Sequence, residues 1–182
     1  MTDAPFHLLP GLLSADDLAA VLGGLAQATA SASTVSGVAD RPVVNLARRS
    51  TRLEAPSAVD ALLRRRLLAV RPGLEALFDR PLGELEPLQV LRYGPGDYFV
   101  AHQDGNTPLI FDDTRHRRVS LSLLLSPAQD WTGGQLVFHG ADRQVAEVAP
   151  GGAIAFRAET THEVTPLETG ERLSVAAWFR AA

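Results

Sequence analysis

The pattern of hydrophobic and polar positions changes near the middle of the chain. The first half carries apolar residues at helical spacing, once after Ser14 and again from Ser57 onward. From Pro87 onward the apolar residues fall in short runs rich in Val, Leu, Ile, Phe and Tyr, and turns containing Gly, Pro or Asp separate these runs. The change indicates a helical lead over residues 1–85 and a strand-rich core over residues 86–182.

Two helices are predicted in the helical lead. The first takes Ser14 as its N-cap and runs to about Thr29. The second begins near Ser57 and should break before Pro72, because a proline disfavours the helical conformation in the residue that precedes it. A short helical continuation is expected through Phe78.

The segment from Ala30 to Asp40 is rich in Ser, Ala and Gly and is predicted to form a mobile surface loop. Eight strands are predicted in the core, near residues 87–93, 98–103, 118–125, 135–139, 145–148, 153–157, 161–165 and 172–180. Short strands separated by turns are typical of an antiparallel sandwich or jelly roll. We therefore expect a mainly β protein with flanking helices (α+β), in which the N-terminal helices pack on one sheet.

Composition and charge narrow the class of protein. With 182 residues and 46% apolar content, the chain has the usual size of one domain and enough material for a core. The net charge is −4, which disfavours a nucleic-acid partner. The sequence lacks a membrane-length apolar stretch, an N-terminal secretory pattern and any cysteine. We predict a single cytoplasmic domain over residues 1–182.

Three residues form a candidate metal site. His102 and Asp104 are two positions apart on a predicted strand, so their side chains should project to the same side. His162 is the candidate third ligand, from a neighbouring strand. Two imidazoles and one carboxylate make the facial triad that holds non-haem Fe(II) and leaves coordination positions open. The same ligands alone also permit zinc.

Arg172 follows His162 by ten positions, on a late predicted strand where it should face inward. A buried guanidinium needs an anionic partner, and a carboxylate supplies both the charge and the bidentate geometry. We therefore predict that Arg172 binds a carboxylate-bearing co-substrate.

Several spaced segments resemble the prolyl-4-hydroxylase-like branch of the 2-oxoglutarate and Fe(II)-dependent dioxygenases. They are QVLRYGPGDYFVAHQD (89–104), LLLSP (123–127), WTGGQL (131–136), PGGAIAF (150–156), HEVTPL (162–167) and GERLS (170–174), in the order found in that family. The resemblance spans roughly residues 86 to 180. It implies a cupin-like double-stranded β-helix, with Fe(II) as the metal, 2-oxoglutarate and O₂ as co-substrates, and ascorbate as a candidate reductant.

The resemblance also implies roles for individual residues. Arg172 would hold the distal carboxylate of 2-oxoglutarate, and Tyr93 would line the same pocket. Many relatives place a tyrosine hydroxyl there, where this chain has Leu123 to Leu125; Ser122, Ser120 or Tyr93 are candidate replacements. Related halogenases lack the ligand carboxylate, so Asp104 favours hydroxylation.

The reaction implied is hydroxylation of an unactivated C–H bond, with release of succinate and CO₂, and the implied substrate is a prolyl residue in a peptide or protein. The candidate substrate contacts are Arg49, Tyr98, Arg118 and Trp178. The Ser-rich loop from Ala30 to Asp40 and the segment from Asn45 to Arg52 are candidate walls of the substrate groove. A second reading is that charge attraction admits a small carboxylate such as a free amino acid, with six arginines as candidates: Arg48, Arg49, Arg52, Arg115, Arg117 and Arg118. Two further alternatives are a non-catalytic β-sandwich that binds a metal or small ligand and, less favoured by the acidic balance, a nucleic-acid dealkylase.

Overall fold

The structure, a computed structural model, describes residues 4–32 and 47–182. Within these residues the two α-helices are α1 (Ala15–Leu25) and α2 (Ser57–Phe78). The strands are β1 (Phe6–Leu9), β2 (Ala30–Ala32), β3 (Arg48–Arg49), β4 (Thr51–Leu53), β5 (Leu82–Leu85), β6 (Gln89–Tyr93), β7 (Tyr98–His102), β8 (Arg117–Leu124), β9 (Trp131–Gly133), β10 (Leu136–Phe138), β11 (Gln144–Ala146), β12 (Ala153–Arg157), β13 (His162–Val164), β14 (Leu167–Gly170) and β15 (Arg172–Ala181).

Helix α1 begins as predicted and ends early. Ser14 is its N-cap: the Ser14 hydroxyl accepts the backbone N–H of Asp17, and the Asp17 carboxylate accepts the backbone N–H of Ser14. The helix ends at Leu25, four residues before the predicted end at Thr29. It ends there because β2 follows almost at once and pairs with β4.

Helix α2 is continuous through Pro72, so the predicted break was wrong. A proline inside a helix removes one hydrogen bond, here to the carbonyl of Leu68. Leu68 lies on the outer face of the helix and is 43% exposed, whereas Leu67 and Leu74 are buried in the core. The burial of this apolar face outweighs the loss of a single backbone hydrogen bond.

Thirteen of these strands form two antiparallel sheets that face each other. The large sheet has the order β1-β12-β8-β15-β6-β4-β2, and β5 also pairs with β15. The small sheet has the order β11-β10-β13-β7-β3, and β9 pairs separately with β14. This arrangement confirms the predicted jelly roll of the double-stranded β-helix type.

Two hydrophobic cores lie on opposite faces of the large sheet. One packs helices α1 and α2 against it and includes Leu63, Leu67, Leu121 and Phe179. The other fills the space between the two sheets and includes Tyr93, Phe138, Phe156 and Leu136. The first core confirms that the N-terminal helices pack on one sheet, and the second surrounds the candidate site.

All eight predicted strands are present, each within about two residues of its predicted ends. The sequence missed seven others, the short strands β1 to β5, β9 and β14. The predicted loop from Ala30 is wrong for Ala30–Ala32, which form β2; residues 33–40 lie outside the described part of the chain. Neither α1 nor α2 is long and apolar enough to cross a membrane.

Candidate active site

The three predicted metal ligands converge. His102, the last residue of β7, pairs with His162, the first residue of β13. Asp104 lies two residues beyond the end of β7, where its backbone N–H donates to the carbonyl of Ala158 at 2.8 Å. His102 Nε2 is 3.5 Å from Asp104 Oδ1, and His162 Nε2 is 3.6 Å from Asp104 Oδ2. One ligand atom from each residue falls within 4.8 Å of the others.

The backbone fixes which nitrogen each imidazole presents. His102 Nδ1 lies 2.8 Å from the carbonyl oxygen of Val100, and His162 Nδ1 lies 2.9 Å from that of Thr160. A carbonyl oxygen can only accept, so each Nδ1 carries the proton and each Nε2 keeps its lone pair free for a metal. Outer partners of this kind orient histidine ligands in metal sites.

The protonation states of His162 and Asp104 also favour the binding of a metal cation. Burial lowers the pKa of His162 to about 4, although the Asp104 carboxylate opposes this shift. Burial alone would raise the pKa of Asp104, but the imidazoles of His162 and His102 hold it below its usual range. At neutral pH His162 is therefore neutral and Asp104 ionised, the states in which both groups bind metal.

Aromatic rings cover the histidines. The Phe99 ring stacks on His102 with centroids 3.5 Å apart, and the Phe156 ring meets His162 at 4.6 Å. Phe138 lies 5.9 Å from His162 on another side. The side chains of Asp104 and His162 are less than a tenth exposed, so the rings leave the histidines accessible mainly from the side of His102. The donor set and its surroundings fit Fe(II) with open coordination positions.

Arg172 is buried between the two sheets, as predicted, with 4% exposure. Its guanidinium donates to the Ser174 hydroxyl at 3.1 Å and lies 5.6 Å from the Tyr93 ring centroid and 5.7 Å from that of Trp131. Burial lowers the pKa of this guanidinium, and no carboxylate of the described residues forms a salt bridge with it. The cation therefore lacks a protein counter-ion.

The turn at Gly133 and Gly134 leaves room for Arg172. Both glycines have positive φ, +70° and +57°, as expected for the predicted turn. A Cβ on Gly134 would collide with Leu167 and approach Arg172 Cδ at 3.4 Å. Glycine is needed here for both its backbone conformation and its small size.

Three cavities surround the site. An inner cavity of about 50 Å³ is lined by the triad together with Tyr93, Ser122, Arg172 and Trp178. An outer cavity of about 570 Å³ shares its walls at Arg48, Phe99, His102, Asp104 and Trp178. A rear cavity of about 510 Å³, bounded by Trp131, Leu124 and Val148, shares Ser122, Leu136 and Arg172 with the inner cavity.

Only some of the residues predicted to contact the co-substrate or the substrate line a cavity. Tyr93, Ser122 and Trp178 line the inner cavity, and Trp178 also lines the outer one. The three remaining candidates, Arg49, Tyr98 and Arg118, line none of the three cavities. Arg49 is exposed and pairs with Asp97 at 3.1 Å, and Arg118 donates to the carbonyls of Arg115 and Arg117.

A register shift explains the misplaced candidates on β3 and β7. Strict alternation from His102 would put Tyr98 on the metal side, but the pairing of β13 with β7 shifts between His162 and Val164. A shift of one residue exchanges the two faces of a strand. Phe99 therefore lies beside His102. The cross-strand partner of Phe99 is Arg48, so Arg48 faces the site in place of its neighbour Arg49.

A second register shift, between β15 and β8, determines which arginine of β8 lines the outer cavity. The pairing of β15 with β8 shifts between Phe179 and Arg180, and Arg180 pairs with Arg117. Arg117 lines the outer cavity, and its guanidinium lies 3.8 Å from the Trp178 ring centroid. The sequence offered Arg117 among the arginines that could admit a small carboxylate, and the structure places it in the wall of the outer cavity, whereas its neighbour Arg118 lines none of the three cavities. The sequence analysis did not name Ser174 as a site residue. Ser174 is two positions after Arg172 on the same strand, so alternation would have predicted that both side chains face the site.

Comparison with known proteins agrees with this geometry. The family model described as the 2OG-Fe(II) oxygenase superfamily matches residues 88–180. A PKHD-type hydroxylase of Maricaulis maris is 30% identical over 142 residues, which are 76% of this chain and 62% of that protein. A PKHD-type hydroxylase of Paracoccus denitrificans is 34% identical over 93 residues, covering 50% of this chain and 41% of that protein. The chain thus spans about two fifths to three fifths of the length of these relatives.

A solved structure extends the similarity to the whole chain. The crystal structure of a Pseudomonas putida prolyl-4-hydroxylase superposes with a TM-score of 0.66 at 25% identity. The match covers 98% of this chain and 93% of that one. The helices and both sheets are therefore included in the shared fold.

Proposed function

The chain belongs to the 2OG-Fe(II) oxygenase superfamily, and on this premise we propose that it is a 2-oxoglutarate-dependent dioxygenase that hydroxylates an unactivated C–H bond of a prolyl residue in a peptide or protein. The observation that carries the proposal is the convergence of His102, Asp104 and His162 beside Arg172, a buried cation that has no carboxylate partner among the described residues. The three metal ligands and the Arg172 guanidinium line the same inner cavity. This arrangement suits a dicarboxylate that chelates the metal at one end and binds the guanidinium at the other.

His102, Asp104 and His162 would hold the metal. When bound, Fe(II) and 2-oxoglutarate supply the activation of O₂ that hydroxylates the C–H bond and releases succinate and CO₂. The protein contributes orientation: the carbonyls of Val100 and Thr160 keep both Nε2 atoms aimed at one point. Phe99, Phe138 and Phe156 limit access of water to the histidines.

Arg172 would bind the far carboxylate of 2-oxoglutarate. The inner cavity is small, so a five-carbon dicarboxylate that reaches Arg172 would also occupy part of the rear cavity next to Ser122. Trp131 Nε1 is a buried donor without a partner among the described residues, and the Trp131 ring neighbours Arg172. We propose that Trp131 and Ser122 replace the tyrosine hydroxyl that relatives use at this end.

The prolyl substrate would occupy the outer cavity. This cavity reaches the triad, has the Trp178 ring in its wall, and carries Leu109 and Phe111 at its mouth, more than 80% exposed. Exposed apolar side chains around a concave site are suited to contact a partner chain. The similarity to the Pseudomonas putida prolyl-4-hydroxylase supports the same substrate class.

We further propose that the helical lead 1–85 and the core 86–182 act as one dioxygenase domain. Strand β1 pairs with β12 of the core, and α2 is packed against the same sheet. Separating the two parts would expose the apolar face of that sheet. The predicted cytoplasmic location is to be tested by fractionating cells that express the full chain.

The test is an anaerobic titration with Fe(II) and 2-oxoglutarate, followed by O₂. The chelate should give a weak visible charge-transfer band, and O₂ should then produce succinate in wild type and none in Asp104→Ala. Addition of prolyl peptides should accelerate succinate release and add one oxygen to the peptide. Metal binding without the band and without succinate would instead identify a non-catalytic binding module.

A further inference from the structure

Arg48 is a buried arginine on the substrate side of the triad. It is 9% exposed, and its side chain lines both the outer and the inner cavity. Its guanidinium carbon lies 4.9 Å from the centroid of the Phe99 ring, and Phe99 stacks on His102. A single aromatic ring therefore links this cation to a metal ligand.

The hydrogen-bond partners of Arg48 are neutral. Nε donates to the Ser50 hydroxyl at 3.1 Å, and Nη1 donates to the side-chain oxygen of Gln89 at 3.4 Å. An arginine has five N–H donors, so three of them have no hydrogen-bond partner among residues 4–32 and 47–182. Across residues 4–32 and 47–182 no carboxylate lies within salt-bridge distance of Arg48.

The other arginine of the outer cavity is different. Arg117 donates through Nη2 and Nε to Glu86 Oε2 at 2.8 and 3.0 Å, so its charge is balanced inside the protein. Asp112, also in the cavity wall, accepts the Thr114 backbone N–H at 2.9 Å. Arg48 is thus the cation of this cavity whose charge and spare donors are available to a ligand.

Burying a charged group without a counter-ion is costly, and a carboxylate offsets the cost through both charge and paired hydrogen bonds. Resting on the proposed function, we propose that Arg48 binds a carboxylate of the substrate, and that the preferred prolyl substrate carries this group close to the reacting C–H bond. Arg48, which the inner cavity shares with the outer one, is then a specificity-determining residue for the substrate. Arg172, which the inner cavity shares with the rear one, has the corresponding role for the co-substrate.

Three sources share this chemistry: the α-carboxylate of a peptide that ends in proline, an acidic side chain next to an internal proline, and free proline. Each has a neutral counterpart of nearly the same shape. The pairs are Ala-Ala-Pro and its C-terminal amide, Ala-Pro-Asp-Ala and Ala-Pro-Asn-Ala with both ends blocked, and proline and prolinamide.

Binding of these six probes is measured by calorimetry on the full chain loaded anaerobically with Fe(II) and 2-oxoglutarate. In wild type the acid of at least one pair should bind about 10- to 100-fold more tightly than its neutral counterpart, as expected for hydrogen bonds between charged groups. The pair that shows the difference identifies the source. Equal binding within every pair, or no binding of any acid, would overturn the assignment.

Variants locate the effect. Arg48→Gln should remove the acid preference, and Arg48→Lys should keep only part of it because lysine lacks the planar fork. Arg65→Gln, which removes an exposed arginine on α2, should keep it in full. Retention of the preference in Arg48→Gln would overturn the proposal. Thermal unfolding confirms that each variant is folded, and the wild-type comparison of acid and neutral probes stands without any variant.

A succinate assay separates this inference from the proposed function. Succinate formation from 2-oxoglutarate with equal binding of acids and amides would reject the role of Arg48 and keep the dioxygenase. An Arg48-dependent preference for acids without any succinate would keep the anion site and reject the dioxygenase.

Discussion

His102 and His162 face each other across the pairing of β7 with β13, with ring centroids 4.3 Å apart. Each imidazole is oriented by a backbone carbonyl two residues earlier in its own chain segment, so neither needs another side chain to aim it. Asp104 is likewise held through its backbone, at Ala158. The metal-binding geometry is therefore built into the main chain of the small sheet and its following loop.

Asp104→Ala should abolish tight metal binding because it removes the only carboxylate of the triad. The loss of affinity should exceed the roughly 10- to 100-fold typical of removing an outer partner of a metal ligand. In wild type, saturating Fe(II) at about 100 times the dissociation constant should add roughly 2.7 kcal/mol to the free energy of unfolding, and a chelator should remove it. Anaerobic calorimetry and thermal unfolding measure both quantities.

Asp142→Ala is the control, since Asp142 is an exposed aspartate that lines none of the three cavities. It should respond to metal and chelator as wild type does. A metal-dependent stabilisation of Asp104→Ala equal to that of wild type would place the metal elsewhere.

Arg172→Gln should raise the 2-oxoglutarate concentration required for half-saturation by about 10- to 100-fold, the effect of losing charged hydrogen bonds to a carboxylate. Fe(II) affinity should stay near that of wild type, since Arg172 is not a ligand. Trp131→Phe should raise the same concentration by a smaller factor, because it deletes one neutral donor. Titration of the visible chelate band with 2-oxoglutarate measures each value.

Arg92→Gln is a matched control for Arg172. Arg92 is on the neighbouring strand β6 and pairs near the surface with Glu171 at 3.7 Å. The variant should leave the 2-oxoglutarate requirement unchanged. An equal increase in both arginine variants would point to a general loss of charge or of folding.

Much of this site could be predicted from the sequence where a long strand alternates clearly between buried and exposed positions. Arg172 and Trp178 are separated by an even number of positions on the ten-residue strand β15, so both face the space between the sheets. His102 and His162 were readable from their sequence context. Strand alternation predicted that Asp104 lies beside His102, and the structure brings these two side chains together, although Asp104 lies beyond the strand end and is held by a loop hydrogen bond.

The substrate side was less predictable for a physical reason. Strand β3 has only two residues, Arg48 and Arg49, so it carries no alternation signal. Which of the two side chains points toward the candidate metal site depends on their partners Phe99 and Tyr98 on β7. The orientation of those two side chains depends in turn on the register shift between β7 and β13. Information of this kind is distributed over strands far apart in sequence. The sequence therefore offered both Arg48 and Arg49 as candidates to attract a carboxylate, and it could not indicate which of the two lines the cavities.

The core between α2 and the large sheet should dominate stability. Leu67 is fully buried, whereas Leu68, the next residue, is 43% exposed. Leu67→Ala should lower the free energy of unfolding by about 2–5 kcal/mol, through lost burial and the cavity left behind. Leu68→Ala should change it by less than about 1 kcal/mol. Urea denaturation of the two variants gives the comparison, and equal effects would contradict the assigned orientation of α2.

Glu75 links the end of α2 to the start of β5 and should give the protein a measurable acid sensitivity. Its carboxylate accepts the backbone N–H of Leu82 at 2.9 Å and Nε of Arg71 at 3.2 Å. The hydrogen bond from Leu82, followed by that from Arg71, lowers the pKa of Glu75 from its usual value of 4.5. The folded protein therefore binds this proton less readily than the unfolded chain does.

For a carboxyl group whose pKa is lower in the folded state, the stabilisation is fully present above the unfolded pKa and is lost as the pH falls through the folded one. Glu75→Gln should therefore be less stable than wild type at pH 7, and the difference should shrink as the pH falls below about 4.5 toward the folded pKa. Urea denaturation at a series of pH values measures the difference, with Glu54→Gln, at an exposed position outside this contact, as the control for loss of one charge. A Glu75→Gln difference that stayed constant with pH would show that the carboxylate does not hold these two hydrogen bonds in solution.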